Sequence, residues 1–183
     1  MVDLAFMLEG SSSLNQWGEN NFGKIVNVTK RIVNWWNRTQ TRVGLVLYAT
    51  DAEIKINFTN SAIERNEALD NLPYPSAWTV TGNALKVINE SLFVHSRPNA
   101  RLVLVLFTDG TSNDAVDHYS EALRDDFNVT IIVVALGDWY DIKQVKSIAS
   151  HPHSKTILET RFREMESLSW RLHEMICEGM KKL

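Results

Sequence analysis

Cysteine is almost absent. Cys177 stands alone among 183 residues, so the chain cannot close a disulfide within itself. Taken without context, Cys177 is an ordinary buried thiol. No apolar run reaches the length needed to cross a bilayer. No cleavable leader is recognisable, because Met1 runs straight into an apolar strand; this fits a module taken from a longer protein, with Met1 supplied for expression. Positive charge is not in excess: 19 Lys and Arg face 22 Asp and Glu, a formal net charge of -3, with an isoelectric point near 5.9. That balance excludes a broad attraction to nucleic acid or to an anionic membrane. Internal repeats, low-complexity tracts and linker-like stretches are also missing. With 44% hydrophobic residues, residues 1–183 suit one domain with a substantial core.

What is present is organised around Val2-Asp3-Leu4-Ala5-Phe6-Met7-Leu8-Glu9-Gly10-Ser11-Ser12-Ser13. An apolar run too short for a helix, ending in an acid, a glycine and three hydroxyls, is the pattern of a strand buried on both faces. In open α/β sheets ligands bind beyond the carboxyl ends of the strands, which is where Glu9, Ser11 and Ser13 fall. Leu102 to Gly110 repeats the pattern and ends in Thr108-Asp109-Gly110, and Thr79-Val80-Thr81-Gly82 opens a helix with hydroxyls. The serine-rich turn is neither a dinucleotide loop nor a phosphate loop with its Lys. It also lacks the second glycine of a hydrolase nucleophile elbow, so the sequence offers no enzyme signature.

The remaining pattern alternates. A helix is expected over Asn15 to Trp36, with Gly18 and Gly23 weakening its start, then strands over Thr41 to Tyr48 and Ala52 to Phe58. The second of these alternates polar and apolar residues, which marks an exposed edge paired antiparallel through a short turn. Ser61 to Leu72 reads as a short helix with Ile63, Leu69 and Leu72 inward, ended by Pro73 and Pro75. A helix from Thr79 or Thr81 follows, then the strand to Asp109, a helix near 115–126, a β-branched strand over Asn128 to Gly137 and a helix to Ser150. A short strand near 156–158 and a terminal helix over about 161–182 complete the chain. This order predicts an α/β, doubly wound, Rossmann-like fold: a mainly parallel six-stranded sheet with one antiparallel edge strand and helices on both faces.

Glu9-Gly-Ser11-Ser-Ser13, Thr79-Val-Thr81-Gly82 and Thr108-Asp109-Gly110 together resemble the metal-ion-dependent adhesion site of the von Willebrand factor type A domain. Val-Gly-Leu-Val-Leu-Tyr in the second strand and Ala-Leu-Gly-Asp after the fifth strengthen the likeness, which extends over nearly the whole chain. The family pattern begins with Asp where this chain has Glu9. The resemblance implies a Mg²⁺, Mn²⁺ or Ca²⁺ ion held by Ser11, Ser13 and Thr79, charge-compensated by Glu9 and Asp109, with an open position for a partner's carboxylate. Mg²⁺ takes octahedral oxygen ligands at about 2.0–2.1 Å, and the extra methylene of Glu9 moves its carboxylate by about 1.5 Å. Glu9 can therefore reach the ion and displace a water, fold aside, or abolish binding. Taken singly, the hydroxyls are equally good helix caps and Asp109 an ordinary turn residue; only their joint placement favours a site.

The resemblance further implies an extracellular adhesion or matrix module that binds collagen or another matrix protein through an acidic side chain, set among neighbouring domains. The alternative within the family is a metal-free scaffold in the matrix. It also offers Cys177 a partner cysteine lying before Val2, in place of the buried thiol. Trp78, Trp139 and Tyr140 are candidate rim anchors for a ligand, with Trp78 equally able to pack under its loop. Trp35, Trp36 and Trp170, at helical spacing, read as core or half-buried. Sequons at Asn27, Asn37, Asn57, Asn89 and Asn128 favour secretion and are glycosylation candidates. His151 and His153 flank Pro152 without acidic or cysteine company, which argues against a metal pair.

Overall fold

The computed structural model describes residues 1–36 and 40–180. Its six strands are β1 (Val2–Glu9), β2 (Thr41–Tyr48), β3 (Ala52–Thr59), β4 (Arg101–Thr108), β5 (Val129–Leu136) and β6 (Ile157–Thr160), in the sheet order β3-β2-β1-β4-β5-β6. β3 pairs antiparallel with β2, and every other neighbouring pair is parallel. The helices are α1 (Asn21–Trp35), α2 (Ala62–Asp70), α3 (Thr81–Val87), α4 (Asp117–Asp125), α5 (Ile142–Ile148), α6 (His153–Thr156) and α7 (Leu168–Gly179).

Alternation of side chains along β1 builds both halves of the core. Leu4, Phe6 and Leu8 join Phe22, Ile25 and Ile32 of α1 and Leu168, Leu172 and Ile176 of α7 on one face. Ala5 and Met7 join Ala84 and Leu85 of α3, Leu123 of α4 and Val145 and Ile148 of α5 on the other. Because both faces are covered, β1 has no reason to alternate polar with apolar residues, and its carboxyl end points the serine turn out of the sheet.

Its amino end is held by charge. The Asp3 carboxylate is fully buried; it accepts from Arg42 Nε at 3.0 Å and Nη2 at 2.6 Å, and from Arg97 N at 2.7 Å and Nε at 2.9 Å. Arg97 also donates to the carbonyls of Val2 and Gln40, so one carboxylate ties the start of β1 to two flanking segments.

Several elements depart from the expected ones. The first helix is broken: a 3-10 segment (Ser12–Trp17) precedes α1, and the chain turns between them at Gly18 (φ 129°) and Asn20 (φ 55°). The terminal helix likewise begins as a 3-10 segment (Phe162–Ser167). In α2 the inward position expected for Ile63 belongs to Arg65. Ile63 is 70% exposed, whereas Arg65, four residues before the buried Leu69 and on the same helical face, is fully buried. The Arg65 guanidinium nitrogens have no hydrogen-bond partner among the described residues, and burial pushes its pKa down. Trp170 is also turned out, at 63% exposed, because Leu168 and Leu172 on either side of it face the core; it packs edge-on against Trp35.

Two outcomes follow. Burial pushes the Asp3 pKa up, but the Arg42 and Arg97 contacts outweigh it and hold the group below its ordinary 3.8. Its stabilisation is therefore present above pH 3.8 and lost as pH falls through the lower folded value. Asp3→Ala should cost about 3–5 kcal/mol at neutral pH and remove that acid-dependent part, measurable by urea unfolding from neutral pH into acid. Arg65→Met, which replaces an unpaired buried charge by an apolar chain of similar length, should leave stability unchanged or raise it by about 1–3 kcal/mol in the same assay.

Candidate metal centre

Three loops meet beyond the carboxyl ends of β1 and β4. After Glu9 and Gly10, Ser11 stays extended and bridges in parallel with Ala77; Ser12 N donates to Ala77 O at 2.9 Å and Ser76 N to Gly10 O at 2.9 Å. Tyr74 Oη donates to Ser11 O at 2.7 Å. The loop before α3 is thus stitched beside the serine turn, which delivers Thr79. The loop after β4 is joined to it by Asn113, whose backbone N and side-chain Nδ2 both donate to Thr79 O, at 2.9 and 2.8 Å. Asp114 then closes the start of α3, accepting from Gly82 N at 2.8 Å and Asn83 N at 2.7 Å, while Ser112 Oγ accepts from Thr81 N at 2.8 Å. A side chain at Gly82 would collide with the Ala115 carbonyl oxygen and the Asp114 carboxylate, so the residue after Thr81 must be glycine. Gly110, at φ 85°, lies against Tyr140 in the same way.

All five expected site residues come together. Ser11 Oγ donates to Glu9 Oε1 at 2.5 Å and Thr79 Oγ1 donates to the same oxygen at 3.1 Å. Ser11 Oγ and Ser13 Oγ are 2.7 Å apart, and Ser13 Oγ donates to Asp109 Oδ2. The second Glu9 oxygen accepts from Asp109 N at 3.0 Å and Tyr48 Oη at 3.3 Å. Glu9 thus lies fully buried at the back of the cup, and Asp109 is half-buried.

Burial first, then the negative charge of Asp109, pushes Glu9 up to about 7. No Lys, Arg or His is among the residues lining the open cleft of about 310 Å³ around Ser11, Ser13, Thr79 and Asp109. Among the described residues there is also no cluster of three or more His, Cys, Asp or Glu. The donor set is thus oxygen only, three hydroxyls and two carboxylates, which suits a hard divalent cation rather than a soft one. Each hydroxyl of Ser11, Ser13 and Thr79 engages a carboxylate or another hydroxyl of the cup, so hydroxyl lone pairs remain for an ion.

The rim divides. Trp78 and Trp139 line the cleft and are 75% and 74% exposed, so Trp78 does not pack under its loop. Tyr140 does not line the cleft: it is half-buried, its hydroxyl donates to Glu159, and burial together with that carboxylate pushes its pKa up to about 12. Tyr48, Ser112, Asn113 and Asp114 also build the site, and no sequence motif marks them. Tyr48 stands opposite Glu9 in the β1–β2 register, a relation visible only once the strands are paired. Of the sequons, Asn27, Asn57 and Asn128 are exposed, Asn89 is half-buried with its Oδ1 enclosed and unpartnered, and Asn37 lies outside the described residues.

A family model for the von Willebrand factor type A domain matches residues 3–171. The chain belongs to this family. It is 30% identical to matrilin-2 of Mus musculus over 98% of its own length and 20% of that protein's. It is 29% identical to vitrin of Mus musculus, covering 96% of this chain and 27% of vitrin, and 29% identical to the collagen alpha-4(VI) chain of Mus musculus, covering 99% and 8%. The chain thus spans about a quarter or less of these relatives. Among solved structures it is similar to proximal thread matrix protein 1 from the mussel byssus, with TM-score 0.86 and 19% identity over 97% of this chain and 48% of that one. A form of the same mussel protein described as having a zinc-occupied MIDAS motif superposes with TM-score 0.83 at 24% identity, covering 96% and 46%.

The type A cup makes metal-free stability depend on pH. Because Glu9 is raised from its ordinary 4.5 to about 7, the folded chain holds a proton that the unfolded chain has released. Stability is therefore greatest below pH 4.5, as far as Glu9 is concerned, and falls as pH rises through 7. Glu9→Gln should flatten that slope in melts run with a chelator, recovering on the order of 2–3 kcal/mol at pH 8.

Proposed function

We propose that the cup holds a divalent cation through the hydroxyls of Ser11, Ser13 and Thr79 and the carboxylates of Glu9 and Asp109, and that the domain uses it to capture an acidic side chain of an extracellular matrix protein. The observation that carries this reading is the convergence of those five oxygen-bearing side chains in a cleft lined by no cation of the chain's own. A bound ion would supply Lewis acidity toward an incoming carboxylate. The chain's own part is orientation. Glu9 holds the Ser11 and Thr79 hydroxyls by their protons, and Asp109 does the same for Ser13. With only two carboxylates at hand, a doubly charged ion is not over-neutralised, and it is left favouring a third. Trp78 and Trp139 flank the opening with large exposed faces suited to the apolar residues around such an acid.

Similarity to matrilin-2, vitrin and a collagen VI chain supports the matrix setting, and the zinc-occupied motif of the mussel protein supports metal binding. Collagen or another matrix protein is the partner class, and the module works extracellularly as a binding unit within a longer chain. The wall position of Glu9 favours the larger Mn²⁺ and Ca²⁺ over Mg²⁺. Asn27, Asn57 and Asn128 are the sequons open to a sugar.

Thermal melting with Mg²⁺, Mn²⁺ or Ca²⁺ against a chelator tests the reading. A ligand that binds only the folded state at a hundred times its Kd adds about 2.7 kcal/mol, so the midpoint should rise. Asp109→Ala and Ser13→Ala should abolish the rise, and Glu9→Asp should shift preference toward Mg²⁺. Trp78→Ala should leave the metal-induced rise intact and weaken capture of a matrix ligand by about 2 kcal/mol. An unchanged midpoint at millimolar metal would instead favour a metal-free scaffold.

A further inference from the structure

The opposite pole of the sheet carries a second, larger cleft of about 520 Å³, bordered by the first residues of β4 and β5 and by the segment after α5. β4 is eight residues long, so this cleft lies about 25 Å from the metal cup. Arg101, Arg124 and His151 line it, and Asp125 is the one acidic residue among them. The chain as a whole is acidic, with a formal charge of -3, so this gathering of basic side chains is local.

Two of these cations are prepared for a ligand in different ways. Arg101 is half-buried, and its guanidinium enters no hydrogen bond or ion pair among the described residues; its backbone belongs to the β4 ladder, with N donating to Met1 O at 3.0 Å. Arg124 is fixed: its Nη1 donates at 2.7 Å to both the Ser147 and Ile148 carbonyls at the end of α5, leaving the rest of the fork uncommitted. His151 is exposed and stacks on His153, with ring centroids 4.2 Å apart. The pKa of His153 is pushed down, first by burial and then by the charges of His151, Lys146 and Arg124, so the positive field continues past the cleft toward α5.

We infer that this cleft is an oxyanion site for the sulfate or carboxylate groups of an acidic polysaccharide. Guanidinium groups are the side chains best suited to such groups, because their planar forks match two oxygens at once; here Arg101 offers a free fork and Arg124 an anchored one with donors to spare. A chain fits better than a single ion because the cations come from three separate segments around an open cleft and continue to Lys146 beyond it. The inference does not rest on the metal reading. Asn128, a sequon, borders the same cleft, so a sugar there would crowd its mouth.

The test uses protein made in a bacterial host, and hence without N-glycans, titrated with a short heparin oligosaccharide and separately with sodium sulfate. Backbone amide shifts and calorimetry are the readouts. The oligosaccharide should bind more tightly than free sulfate, shift the amides of Val129, Thr130 and Gly179, weaken steeply with salt, and be indifferent to a chelator. Arg101→Ala removes a group with no structural partner and should weaken binding about tenfold, the equivalent of one charge-assisted hydrogen bond. Asp125→Asn should strengthen it severalfold. Equal affinity for oligosaccharide and free sulfate, unchanged binding in Arg101→Ala, or loss of binding with the chelator would each overturn the inference.

Discussion

Two carboxylates face a common cleft that no Lys, Arg or His lines among the described residues. Glu9 is sealed behind the hydroxyls of Ser11 and Thr79, Asp109 stands in front of it, and their mutual repulsion helps drive Glu9 to about 7. A core of this quality could have placed an apolar residue at the end of β1; an acid there is a cost in stability, and buried acids of perturbed pKa gather at functional sites. The loops that converge on it are arranged accordingly. Asn113 and Asp114 fasten the Asp109 loop to the Thr79 loop, so the two sides of the cup are held in fixed relation by hydrogen bonds remote from its floor.

The same sheet treats charge in opposite ways at its two ends. At the amino end of β1, Asp3 is as closed to solvent as Glu9, yet Arg42 and Arg97 hold its pKa below the ordinary value. At the carboxyl end no arginine contacts Glu9 among the described residues, and the pKa of the acid moves upward. The difference lies in the counter-charge: one carboxylate has arginines beside it and stays ionised, and the other faces a second carboxylate and holds its proton more tightly. Nearby at the amino pole, Arg101 is the mirror case, a guanidinium without a hydrogen-bond or ion-pair partner among the described residues.

Much of this was legible from the residues. The strand pattern of Val2 to Glu9 and of Leu102 to Thr108 is dictated by burial on both faces, and the alternating Ala52 to Thr59 is the antiparallel edge it announces. The positions of Glu9, Ser11, Ser13, Thr79 and Asp109 at strand and helix ends follow from those same periods. Helix faces were less legible where a long side chain competes with an apolar one. In α2, Arg65 takes the inward face and Ile63 does not, because helix rotation is set by Leu69 and the neighbouring sheet rather than by hydrophobicity residue by residue. In α7 the same logic turns Trp170 outward.

By itself the sequence determined the order of elements, the end of the sheet at which polar loops gather and the oxygen character of those loops, since each depends on local periodicity and residue chemistry. Tertiary structure alone decided that Glu9 forms the back wall, that Tyr48 supports it, that Tyr140 leaves the rim for Glu159, and that Arg101, Arg124 and His151 share a cleft. Those relations join residues far apart in the chain. They depend on strand register and loop packing, which no local pattern encodes.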